Sequence, residues 1–151
     1  MQQLEDLLAA WPRGVHRPAA LRLQGDLLYG RRKYEEALAL YGRSLAVAPD
    51  DASRQAARLA MGLAQAALGR RDQAAALLAQ AAAGPSAAAS ARALYEQGNL
   101  LAGLGRDREA AAALAAYAAR FPAGVEREPA LRLLASVLER LGDAAGAWAR
   151  W

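Results

Sequence analysis

An all-α chain of repeated helical hairpins is the fold this sequence predicts, and three observations predict it. Hydrophobic residues make up 55% of the 151 residues but aromatics only 6%, and the apolar content is mostly Ala and Leu, which favours helix. Few residues are β-branched, so a sheet has little to build on. Small residues also return at a nearly fixed step: Ala37, Ala74, Ala110 and Ala147 are separated by 37, 36 and 37 residues. A unit of that length cannot bury its apolar face alone, so neighbouring units are expected to stack.

Taken in order, helices are expected over residues 2–11, 18–30, 34–47, 52–68, 72–83, 87–104, 107–120, 127–141 and 143–150. The first is a lone second helix. Trp11-Pro12-Arg13-Gly14-Val15 mirrors Phe121-Pro122-Ala123-Gly124-Val125, and Ala20-Leu21-Arg22-Leu23 mirrors Ala130-Leu131-Arg132-Leu133, both at an offset of 110 residues. Asp72, Asp107 and Asp143 each follow a Gly or Arg turn and precede an Ala-rich run, as N-caps should. Ser86 after Pro85, and Asp50 or Asp51 after Pro49, are placed to cap the first helices of the next hairpins.

Residues 18–51 read PAALRLQGDLLYGRRKYEEALALYGRSLAVAPDD and closely resemble the tetratricopeptide repeat in Leu21, Gly25, Leu28, Ala37, Tyr41, Ser44 and Pro49. Gly62, Gly69, Ala74 and Ala81 mark a second copy, and Gly98, Gly105, Ala110 and Pro122 a third. Leu131, Leu134, Leu138, Gly142 and Ala147 mark a fourth, which stops at Trp151. The resemblance implies a single right-handed α-solenoid over 1–151. It divides into a trailing helix (1–17), repeats at 18–54, 55–90 and 91–127, and a truncated repeat at 128–151. Repeat two departs from the pattern with Arg58 and Gln65 at apolar places, and repeat four has Ala135 for Gly. The aromatic-Pro endings and the spacing are similar to bacterial envelope repeat proteins, such as the Tol-associated cell-division coordinator and the lipoproteins of outer-membrane assembly.

Nothing in the sequence supplies catalytic chemistry. His16 is the only histidine and sits between Arg13 and Arg17, so no two-His metal set exists. No phosphate-binding or dinucleotide glycine motif is present, and the glycines recur at repeat spacing. No enzyme activity, cofactor or metal is expected. Without Cys there is no disulfide framework, and no apolar run approaches the roughly 20 residues of a membrane span, so no membrane insertion is expected. The Arg-rich, Lys-poor composition (Lys33 is the only lysine) is that of a GC-rich bacterial genome. The expected compartment is the cytoplasm or, where a signal has been removed, the periplasm.

The net charge is +4, and Arg31, Arg32, Lys33, Arg70, Arg71, Arg106, Arg108 and Arg140 fall at turns that would stack along one edge. Glu35, Glu36, Asp72, Asp107, Glu109 and Asp143 lie beside them and no aromatics interleave, so nucleic acid is a disfavoured partner. The resemblance points instead to another protein, held in a concave groove lined by the first helix of each hairpin. The residues it places there include Arg22, Asp26, Tyr29, Leu59, Leu63, Arg92, Tyr95, Asn99 and Arg132. Leu59 and Leu63 are either an apolar ligand floor or, if that helix is rotated, core. Chaperone cofactors of the family clamp a terminal carboxylate with Lys then Asn. This chain has Arg22 then Asp26, so that function is not carried over. The alternative is a self-associating subunit. A homo-oligomer would form through the terminal helices, with Leu141, Trp148 and Trp151 on a C-terminal association face. Otherwise these tryptophans fold back on Leu134 and Leu138, or the chain continues a longer solenoid.

Overall fold

The computed structural model describes residues 17–142, together with Gln2, Gln3 and Asp6. The expected helix at 143–150, the cap at Asp143, His16, Trp148 and Trp151 lie outside the described residues, as does most of the expected first helix. The described chain forms α1 (Arg17–Gly30), α2 (Tyr34–Ala46), α3 (Asp51–Ala67), α4 (Arg71–Ala82), α5 (Ala87–Gly103), α6 (Asp107–Arg120) and α7 (Arg127–Arg140). None of these is long and apolar enough to cross a membrane.

The helices stack in chain order. Each packs on the next, and α1 also meets α3, α3 meets α5, and α5 meets α7. Among the described residues the backbones of α2, α4 and α6 do not approach one another in this way, so the odd-numbered helices form the inner layer of the solenoid and the even-numbered ones the outer. Small residues make the hairpins close. Ala37, Ala74 and Ala110 are fully buried near the starts of the outer helices. On the inner helices a Cβ added at Gly25 would lie 2.5 Å from the Tyr41 ring, one at Gly62 2.9 Å from Leu78, and one at Gly98 2.6 Å from Leu114. One large outer-helix side chain is thus seated on each glycine, as the repeat spacing requires.

The hairpin turns share one geometry. In the third, Gly105 has φ +74, its N–H donates to the Ala102 carbonyl at 3.1 Å, and the Arg106 N–H donates to Leu101 at 3.0 Å, a Schellman closure. Gly69 and Gly142 have the same left-handed φ, and in the first turn Arg32 takes it at φ 61. The expected caps at Asp72 and Asp107 are corrected. The N-cap residues are Arg70 and Arg106, with no side-chain cap bond, so both aspartates already lie in the first helical turn. The turns are shorter than expected, so the helices start earlier, and the carboxylates are drawn to arginines of the following hairpins instead. Asp50 and Ser86 do cap α3 and α5, accepting from the Ser53 N–H at 2.7 Å and the Ala89 N–H at 3.4 Å.

The core falls into two clusters. One joins Leu21, Leu28, Ala37, Leu40, Tyr41 and Ala64; the other gathers residues from Ala75 to Leu138 around Leu101, Leu114, Tyr117 and Leu134. The division falls at the second hairpin, where Arg58 and Gln65 are half-buried at the places that large apolar residues hold in its neighbours. A polar knot binds this hairpin to the third. Buried Gln55 donates to the Ala81 carbonyl at 2.7 Å and to Ser90 Oγ at 3.0 Å, and accepts from the Ser86 N–H at 2.7 Å.

Candidate functional site

The inner layer leaves clefts between successive odd-numbered helices. The first, mainly between α1 and α3, has a volume of about 240 Å³ and is lined by Arg22, Asp26, Tyr29, Tyr41, Ala56, Leu59, Ala60 and Leu63, and by Ala89 of α5. The second lies between α3 and α5 over α4, has about 280 Å³, and is lined by Leu63, Ala66, Arg71, Leu78, Glu96 and Asn99 among others. Leu63 belongs to both and forms the wall between them. Leu59, Leu63 and Arg58 are all half-buried, so α3 presents its leucines to the clefts without swinging Arg58 fully into solvent.

Polar chemistry in the first cleft is internally satisfied. Arg22 pairs with Asp26 at 3.3 Å, one helical turn along α1. The Tyr41 hydroxyl donates to Asp26 Oδ1 at 2.7 Å. Burial first, and that hydrogen bond second, push the Tyr41 hydroxyl above its ordinary value, so it stays a protonated donor. Tyr29 stacks edge-on against Tyr34 with centroids 5.1 Å apart, and burial raises its hydroxyl too. Arg92 pairs with Glu96 at 2.7 Å and Arg132 with Glu128, again one turn along their own helices.

The residues singled out from the sequence divide among three places. Arg22, Asp26, Tyr29, Leu59 and Leu63 meet around the first cleft, and Leu63 and Asn99 line the second. Arg92 lines a third cavity of about 460 Å³ with Tyr117, Phe121 and Val125, where the chain passes from α6 to α7. Tyr95 is half-buried and turns toward Tyr117, with ring centroids 6.3 Å apart. Arg132 is exposed on α7, and Leu141 follows that helix at 40% exposure. Sequence reasoning missed Arg71 on the second cleft and Tyr41 at the base of the first. Tyr41 was legible as the aromatic seated on Gly25, but its hydroxyl reaches Asp26 only because α1 and α2 lie so close.

The basic turn edge is a ladder. Arg70 pairs with Glu35, Arg106 with Asp72 at 3.2 Å and Arg140 with Asp107 at 2.7 Å, each reaching back to the preceding hairpin. The hydrogen bond from Arg140 holds the Asp107 carboxyl below its ordinary value. Three arginines of this edge are therefore committed between repeats. Among the described residues no cluster of three His, Asp or Glu is placed to hold a metal ion.

Helix order, inner and outer layers, and the glycine-seated hairpins define a tetratricopeptide-type solenoid. Solved structures agree. MamA from Desulfovibrio magneticus RS-1 (residue 41 to the end) is similar with a TM-score of 0.74 and 18% identity, over 99% of this chain and 78% of that one. A crystal structure of MamA gives a TM-score of 0.77 at 19% identity, over 97% and 80% of the two chains. The first TPR domain of human RPAP3 gives 0.70 at 19% identity, over 89% and 99%. No family model matches the sequence, and no curated protein matches it.

Proposed function

We propose that the chain is a protein-interaction scaffold whose inner groove, along α1, α3 and α5, holds a polypeptide segment of another protein. The observation that carries this reading is the pair of half-apolar clefts meeting at Leu63 on the inner layer. Three arginines of the turn edge are held in ion pairs between repeats and Lys33 pairs with Glu36, which weakens the field available to a nucleic acid. The reading includes no catalytic step. Its test is selection of displayed random peptides on the full chain, repeated with Leu63→Asp, Ala56→Glu and Ala66→Glu. These positions are half-buried and line the clefts. Peptides lost on these substitutions, with the helical circular-dichroism signal and melt retained, support the groove; peptides indifferent to all three refute it.

A second reading, a self-associating subunit, is favoured by one observation. Leu23 and Leu27 on α1 are 52% and 43% exposed, and Leu141 after α7 is 40% exposed, so both ends of the described solenoid present leucine. Sedimentation at rising concentration, with the native chain and with Leu141→Glu, tests it. A native chain still monomeric well above ~100 μM refutes it.

A further inference from the structure

Resting on the groove reading, we infer that the segment it takes is extended, uncharged where it crosses α3, and carries aliphatic side chains at positions i and i+4, one for each cleft. The spacing comes from the clefts. Along α3 the first is centred near Ala60, between Ala56 and Leu63, and the second between Leu63 and Ala66. That displacement is about 7 Å along the helix axis. Crossing from one gap between inner helices to the next adds about 8–10 Å sideways. The cleft centres therefore stand about 12 Å apart on the diagonal. In an extended chain, residues i and i+4 share a face about 13 Å apart, whereas i and i+2 are only about 7 Å apart and i+3 points to the opposite face. A helix would need about eight residues to cover the same distance.

Hydrogen bonding favours the extended form as well. An extended segment brings unpaired backbone N–H and C=O groups that need partners, and a helix does not. Asn99 is exposed on the second cleft, and its amide can donate and accept at once. Tyr29 brings a hydroxyl to the first. Charge sets the remaining chemistry. Arg22 on the first cleft is paired with Asp26, and the second cleft carries one charge of each sign, Arg71 and Glu96, the latter paired with Arg92 on its own helix. An acidic ligand would have to displace those carboxylates and then sit beside them. A neutral aliphatic segment leaves the pairs intact and buries Leu59 and Leu63.

The test uses the full chain and a series of capped, uncharged peptides in a Ser/Gln background, with two Leu spaced i+3, i+4, i+5 or i+8. Binding is read by titration calorimetry. The i+4 peptide is expected to bind at least about tenfold more tightly than the others, since each of them loses one buried side chain. Its affinity should change less than about twofold between roughly 50 and 500 mM salt. Ala56→Glu and Ala66→Glu should each remove the preference for one of the two Leu. Equal affinity across the spacings, a preference for i+8, no binding of any peptide, or a steep salt dependence overturns the inference. Groove-dependent peptides from the display selection that lack the i, i+4 pattern also overturn it, and leave the groove reading standing. Peptides indifferent to the cleft substitutions overturn both.

Discussion

Replacing Gly98 by Ala places a Cβ 2.6 Å from both Cγ and Cδ2 of Leu114, which is fully buried on α6. Cγ is the branch point of that side chain, so Leu114 has to move bodily, and the second core cluster surrounds it. Gly42 is the control. It lies inside α2, and a Cβ there meets nothing within 4 Å. Gly→Ala in a helix interior stabilises by roughly 0.5–1 kcal/mol. Overpacking a filled core costs about 1–3 kcal/mol. The propensity gain is common to both variants, so the difference between them isolates the packing term, about 1–3 kcal/mol in favour of Gly42→Ala. For a domain of this size that separates the melting temperatures by about 2–12 °C. Urea and thermal melts of the two variants against the native chain read it directly. Equal stabilisation by both would refute the glycine-seated packing of α5 on α6.

Arg32 occupies the left-handed position that Gly69, Gly105 and Gly142 hold in the other turns. Arg32→Gly should therefore raise stability by about 0.5–1 kcal/mol in a urea melt, the strain relieved exceeding the entropy added to the unfolded chain. Gln55→Ala should destabilise by about 2–4 kcal/mol, because it strips partners from the half-buried Ser86 N–H and the buried Ser90 hydroxyl and leaves a void between the second and third hairpins. Asp107 sits below its ordinary value of 3.8 because Arg140 hydrogen-bonds it. Its contribution is thus present above that value and lost as pH falls through the lower folded one. Melts from pH 5 downward should show this loss in the native chain and a shallower slope in Asp107→Asn.

The helices and their stacking were legible because small residues at a fixed period leave one way to seat a large neighbour. Gly25 under Tyr41 and Gly98 under Leu114 are direct readings of that spacing. The caps at Asp50 and Ser86 were legible for a local reason, a polar side chain three residues before a waiting N–H. Asp72 and Asp107 misled because a carboxylate near a helix start serves as a cap or as a first-turn ion partner equally well, and an arginine some 33 or 34 residues away decided between them. The groove residues were only partly legible. Helical register brings Arg22, Tyr29 and Leu63 to the inner layer, but whether a ring such as Tyr95 faces a cleft or folds onto Tyr117 depends on a side-chain rotation that spacing does not encode. Gln55 left no periodic signal, since its partners Ser86 and Ser90 come from a connection unlike the others in the chain.

The divided core has a mechanical meaning for a molecule whose repeats touch only their neighbours. Stability in such an array is a sum of local couplings, and cooperativity is only as strong as the weakest of them. Here that link is the second hairpin, where Arg58 and Gln65 thin the apolar contact between the two clusters. Amides of α1 and α2 should therefore exchange with solvent ahead of those in α5 and α6, as a separate opening unit. The two clefts lie on either side of α3, the inner helix of that hairpin. A segment filling both spans the weak link, so occupancy would register far from the contact itself, as slower exchange in α1 and a sharper single melt of the whole array.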